Sequence, residues 1–200
     1  MNTYTIKKVS EPIAWSTIPA LTLENRYHDT PASASVTAKI AYTDDAIAVY
    51  LNAYEPNIRA EEEGTLGSPC HDSCLEFFFS PVEGDNRYFN IEFNSKKCMF
   101  LGFGSGITDL VRLVPDPDEL LSPVIRFTED GWEITYKIPY SFIRLFFPSF
   151  EAKAGKTIRA NCYKCADMME PAHFLSWNLV TVLPVSFHRP CDFGLMTFGE

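Results

Sequence analysis

Apolar and polar residues alternate along most of this chain with the two-residue period of half-buried strands. Val36, Ala38, Ile40 and Tyr42 alternate with Thr37, Lys39 and Ala41. Asp44-Asp45 then marks a turn, and Ile47, Val49, Leu51 and Ala53 resume the pattern, which reads as a hairpin. The stretch Pro56 to Pro69, with Glu61, Glu62, Glu63, Gly64 and Gly67, reads as a solvated loop. Next, Leu75, Phe77 and Phe79 share one strand face, and Cys74, Glu76 and Phe78 the other. After a turn at Pro81 to Asn86, Phe89, Ile91 and Phe93 face the core while Asn90, Glu92 and Asn94 face away. Lys97 to Phe103 is a further strand, and Val111 to Ser122, interrupted by Pro115 and Pro117, is irregular. Asp130-Gly131 is a strong hairpin signal between Val124–Phe127 and Trp132–Ile138. Pro139-Tyr140-Ser141 opens one helix, Tyr140 to Phe147, which Pro148 stops. Beyond it, Ile158, Ala160 and Cys162 point inward, and Arg159, Asn161 and Tyr163 outward. Phe193, Leu195 and Thr197 alternate in a final strand.

Many short strands, tight turns and one short helix predict an all-β fold, a two-sheet antiparallel β-sandwich of jelly-roll-like type. No repeat or composition break divides it, so residues 1–200 are expected to form a single domain. Sixteen Phe and nine Tyr suit such strands, because flat side chains pack well on a pleated surface. The formal charge of −9 repels polyanions, which excludes nucleic acid and anionic membrane as partners. Met1 to Leu21 carries no signal-peptide pattern, so the expected location is the cytoplasm.

Six cysteines are present. Cys70 and Cys74 with Cys162 and Cys165 suggest zinc, but Cys162 and Cys165 lie three apart in a strand and should face opposite ways. Reduced thiols and no metal centre are expected.

The informative residues are those on the outward faces. Three strands place polar groups at mid-strand: Glu76, then Asn90 with Glu92, then Asn161 with Tyr163. Carboxylates and amides of this kind suit the hydroxyl rim of a sugar, and an aromatic plate suits its C–H face.

At this point the chain resembles the family 9 carbohydrate-binding modules, within the wider DOMON-like sandwich group. The resemblance lies in ordered pieces. They are the hairpin Val36 to Leu51, the strand around Asp72, Leu75, Glu76 and Phe77, and Tyr88 to Asn94. Gly131 to Ser141, Arg159 to Tyr163, Ser176-Trp177, and His188-Arg189-Pro190 to Phe193-Gly194 complete the set. The resemblance implies non-catalytic binding of a saccharide, of the xylan or cellulose type, in an aromatic-walled slot. It implies Trp177, Phe187 or Tyr163 as the plate, with His188 and Arg189 beside it. Calcium often props loops in the family, but no Asp-rich loop here matches that role, and no cofactor is expected. Where well-studied members carry two wall tryptophans, this chain has Cys70 for the first and Phe187 near the second.

Two alternatives from other classes stay open on the residues alone. Glu76 and Glu92 on neighbouring strands could serve a glycoside hydrolase as acid and nucleophile. A haem-binding sandwich would need axial ligands such as Met99 or His173 on an apolar pocket. A degenerate sandwich kept for protein contacts is the remaining option.

Overall fold

The strands form where the alternation places them, and several more form where it is weak. The structure, a computed structural model, describes residues Met1–Glu200. In chain order the first strands are β1 (Thr3–Lys8), β2 (Leu21–Thr22), β3 (Asn25–His28), β4 (Ser35–Tyr42) and β5 (Ala46–Tyr54). The middle of the chain gives β6 (Cys74–Ser80), β7 (Tyr88–Asn94), β8 (Met99–Gly104), β9 (Val111–Leu113) and the one-turn helix α1 (Pro117–Leu120). The rest is β10 (Val124–Thr128), β11 (Gly131–Pro139), α2 (Tyr140–Phe146), β12 (Thr157–Cys165), β13 (His173–Ser176) and β14 (Gly194–Phe198).

Two layers result. One runs β10-β11-β5-β4, with β2 on the edge of β4. The other runs β14-β12-β6-β7-β8-β9, with β13 and β3 added beside β12. All pairs within these layers are antiparallel. The exception is β1, which corrects the expectation of two separate antiparallel sheets. Thr3 to Ile6 lie parallel to Leu195 to Phe198 of β14, and Lys7-Lys8 continue parallel to Ala41-Tyr42 of β4. One strand therefore passes from layer to layer and makes a curled, mixed sheet. Only Ile6 of β1 is buried, so alternation could not reveal it.

The main core lies between the layers. Leu75, Phe77, Phe79, Phe89, Ile91 and Phe93 meet Ile47, Val49, Leu51, Trp132, Ile134 and Ile138, all fully buried. The helix α2 covers one end, where Phe142 and Phe146 pack against Phe89 at 5.2 Å. It stops one residue short of Phe147, whose φ of −129° leaves the helical region just before Pro148. The irregular reading of Val111 to Ser122 is corrected twice, at β9, which pairs with β8, and at α1, where the Asp116 side chain accepts from the Asp118 and Glu119 amides. In the last strand Gly194, Met196 and Phe198 are the buried set, while Leu195 and Thr197 are half-exposed.

A buried ion pair joins the layers. Glu55, at the end of β5, meets Lys164 of β12 at 3.2 Å, both almost fully enclosed. Its other oxygen accepts from Trp132 Nε1 at 2.9 Å and from the Ser73 hydroxyl. Lys164 also donates to the Cys165 carbonyl at 3.0 Å. Burial alone would raise the Glu55 pKa, but Lys164, His173, Ser73 and Trp132 outweigh it and hold the group at about 2. A carboxyl depressed in this way contributes stability above its ordinary value of 4.5, and loses it as pH falls toward 2.

Lys164→Met is therefore expected to cost about 3 kcal/mol in denaturant unfolding, because it leaves the Glu55 carboxylate buried and unpaired. The double variant Glu55→Gln, Lys164→Met should recover part of that loss. A Lys164→Met protein as stable as the parent would show that the pair does not hold the layers together.

Candidate functional site

The outer face of β6, β7 and β12 is built by register. Glu76 stands directly opposite Glu92 on β7 and opposite Tyr163 on β12. One step along, Phe78 stands between Asn90 and Asn161. The five polar residues of the row thus share one face, opposite the main core. They are not open to water. Asn90, Asn161 and Tyr163 have no exposed surface, and Glu76 and Glu92 keep 2% and 6%.

The cover is the segment 177–193. Asn161 pins it, donating to the Asn178 carbonyl at 3.0 Å and accepting from the Asn178 amide at 2.8 Å. Asn178 donates onward to the Asp192 carbonyl at 2.7 Å. Asp192 accepts from Arg189 Nε at 2.8 Å and from the Thr181 amide at 3.1 Å. Burial raises the Asp192 pKa, but Arg189 and Thr181 outweigh it and leave the group below its usual range. Phe187 lies flat on Tyr163, centroids 4.1 Å apart and planes 13° apart. A second, smaller apolar cluster forms around Phe78, Tyr88, Tyr163, Val180, Phe187 and Phe193.

A cavity of about 290 Å³ remains where the cover is incomplete. Glu76 and Glu92 form its floor, and Phe187 and His188 stand in its wall. The other candidates are elsewhere, and the structure corrects their expected placement. Trp177 is part of the main core, with its ring over Gly194, where a Cβ would lie 2.5 Å from Cζ3. It cannot present a plate to the cavity. Asn161, on the outer face, and Arg189 hold the covering segment instead of lining the cavity. Tyr163 is hidden under Phe187. Asn90 stands behind the floor, donating to Glu92 Oε1 at 2.7 Å.

Cys70, noted above in place of a wall tryptophan, also lines the cavity. The lining further includes His28, Cys165, Asp167, Phe174, Val185 and Ser186, which alternation did not single out. His28 and Phe174 meet edge-on across the β3–β13 pair at 5.1 Å. Asp167 follows β12 and is held by its amide on the Cys70 carbonyl at 2.9 Å. Asp167 lies two residues past Cys165, where continued alternation would have suggested the same face.

The electrostatics are unusual for a sheet surface. Burial first, then the negative neighbours Glu76 and Asp167, push the Glu92 carboxyl well above the usual carboxylate range. Glu76 is raised as well, chiefly by burial, with Asp167 adding to it. Two carboxyls side by side with no room for two negative charges retain a proton. Burial pulls the His188 ring down to about 4, so it is neutral at neutral pH, with Nδ1 2.9 Å from the Tyr88 hydroxyl.

All six cysteines are free, and Cys162 belongs to the core whereas Cys165 lines the cavity. Cys74 Sγ and the Glu76 and Glu92 oxygens lie within 4.8 Å of one another, a thiol and two carboxyls on one spot. Met99 and His173, the haem-ligand candidates, do not meet there. Met99 is in the main core, and His173 sits beside Glu55 at 3.9 Å.

Comparison with known proteins agrees with this architecture. No curated protein sequence matches the chain. A protein from Bacteroides uniformis ATCC 8492 to which carbohydrate binding has been attributed is 27% identical, with 98% of each chain covered and a TM-score of 0.84. A family 9 carbohydrate-binding module from Caldicellulosiruptor kristjanssonii, solved with glucose, is 12% identical over 100% of this chain and 97% of its own, TM-score 0.72. A module of that family and organism solved with cellotriose is 10% identical over 99% and 94%, TM-score 0.68. At those identities the two modules attest the fold. The family model for carbohydrate-binding family 9 matches residues 8–198, nearly the whole chain, and the chain belongs to that family.

Proposed function

We propose that this protein binds a saccharide without cleaving it, in the cavity between the β6–β7 face and the segment around Phe187. The observation that carries the reading is the Glu76–Glu92 pair, aimed into a cavity with an aromatic ring in its wall, in a chain of a carbohydrate-binding family. A sugar hydroxyl leaving water must regain its hydrogen bonds, and a carboxyl pair holding one proton offers both a donor and several acceptors. Phe187 offers ring area, though one face is already occupied by Tyr163. Neutral glycans of the cellulose or xylan type are the first ligands to test, given that neighbours of this fold were solved with glucose and with cellotriose. One sugar on one partial plate gives a small contact area. Dissociation constants between micromolar and millimolar, roughly −8 to −4 kcal/mol, are expected.

Two measurements test this. In calorimetric titration with glucose, cellotriose and xylo-oligosaccharides, Glu76→Ala or Glu92→Ala should weaken binding at least about tenfold, the loss of one or two hydrogen bonds to a carboxyl. Leu145→Ala, on exposed surface of α2, should change nothing. Unchanged affinity in both glutamate variants would place the site elsewhere, and turnover of the oligosaccharides would refute the non-catalytic reading. The second concerns protonation. With Glu76 raised from 4.5 to about 8, the folded state holds a proton that the unfolded chain releases, so stability falls as pH rises through that window. Glu76→Gln should therefore gain stability relative to the parent at pH 8 and show little difference at pH 4.5. Thermal unfolding across that range checks it, and parallel profiles would mean that Glu76 titrates normally.

A further inference from the structure

The carboxyl pair lacks a counter-ion, and the fold accounts for that lack. No Lys or Arg lines the cavity, whereas Glu76, Glu92 and Asp167 all do. The nearest cations are engaged on other work. Lys164 is opposite Leu75 in register, so it points to the core side and pairs with Glu55 at 3.2 Å. Arg112 stacks on Phe100 at 4.5 Å and donates to the backbone carbonyls of Leu66, Gly67 and Met99. Of the two histidines in the lining, His188 is kept neutral by burial, with its Nδ1 taken up by Tyr88, and His28 packs edge-on against Phe174 at 5.1 Å.

Glu76 is the telling residue. It is 2% exposed, its carboxyl lies within 4.8 Å of Cys74 Sγ and a Glu92 oxygen, and the neighbouring thiols of Cys74 and Cys165 are turned to the Leu75 carbonyl and to Asp167. Glu92 has one amide donor, Asn90. A neutral sugar can supply a hydroxyl to each carboxyl, but it cannot offset their mutual repulsion. A protonated amine does both, since it brings a positive charge and three N–H donors.

Resting on the saccharide reading above, we infer that the cavity prefers an amine-bearing sugar, with the ligand ammonium seated between Glu76 and Glu92. On binding, a carboxyl proton held by the pair passes to the buffer, leaving carboxylate oxygens paired with the ligand's N–H groups. The pair then exchanges a shared proton for a cation, with no change in bonding elsewhere.

The test is calorimetry at pH 6 with glucose, N-acetylglucosamine, glucuronate, methylammonium and the 2-, 3- and 6-amino-deoxy isomers of glucose. Repetition in buffers of different ionisation enthalpy counts protons. At least one amino isomer should bind about tenfold more tightly than glucose, the gain of one charge-assisted contact. It should release about one proton, where glucose releases none, and glucuronate should bind worst. Glu76→Gln should lose the preference and the proton release. The proton count on the parent protein stands even if that variant folds poorly. Glucose binding as well as every amino isomer would overturn this inference and leave the saccharide reading intact. Binding of no sugar at all would overturn both. Methylammonium binding as tightly as the amino sugars, or stoichiometric Zn²⁺ that displaces them, would mark a cation site and refute the sugar preference.

Discussion

Glu55 and Lys164 fix the geometry on which the rest depends. Their pair lies between the layers, one partner directly after β5 and the other on β12. Two buried charges are costly unless each finds the other and further hydrogen bonds, and here Trp132, Ser73 and the Cys165 carbonyl complete the set. The arrangement is satisfied only in one alignment of β5, β11 and β12. It therefore sets which residues of β12 face the core and which face out. With Lys164 committed inward, Tyr163 falls beside Glu76 on the outer face. The same commitment keeps Lys164 on the core side and out of the cavity lining. Fold stability and site electrostatics are two consequences of one ion pair.

The second constraint is that β6 and β7 are buried on both faces. An antiparallel sheet usually leaves one face to water. Here the outer face is covered by a segment of irregular backbone, whose polar groups must be satisfied locally. Asn161, Asn178 and Asp192 do this in a chain of side-chain-to-backbone bonds. That is why residues that look like ligand contacts from their alternation serve as anchors instead. The cavity is what remains where this lining ends, between Phe187 and the strand-borne carboxyls.

Period-two alternation was enough to place β4 to β7, β11 and β12 and their inward faces, because each carries apolar residues at every second position, whereas β10, with no buried residue, was marked only by the Asp130-Gly131 turn. It failed for β1, whose only buried residue is Ile6, and for β3 and β13, which are four residues long. Burial on the second face was also not legible. Alternation reports that two faces differ, and Glu76-x-Phe78 differs from Leu75-x-Phe77 whether the first faces water or a loop. Trp177 misled for a related reason. Its sequence position beside a short strand fits either a plate or a core residue, and Gly194, which admits the ring into the core, is seventeen residues away. His28 reaches the cavity from the four-residue strand β3, too short for periodicity to mark a face.

The departure at Cys70 gives the site its character. A tryptophan clamp gains affinity from ring area, which is tolerant of what the sugar carries at its rim. With Cys70 in the cavity wall and Phe187 stacked on Tyr163, little free ring area is left. Discrimination must then come from the polar floor. Two carboxyls in direct register are unfavourable in the empty protein, since each raises the cost of ionising the other. Replacing Glu76 with an apolar residue would relieve that cost without disturbing the strand. A fold that keeps the pair sacrifices some stability at the floor of its cavity, a cost that the proposed ligand would recover by supplying the missing donors. The physical expectation is a site that selects by charge and hydrogen bonding more than by shape.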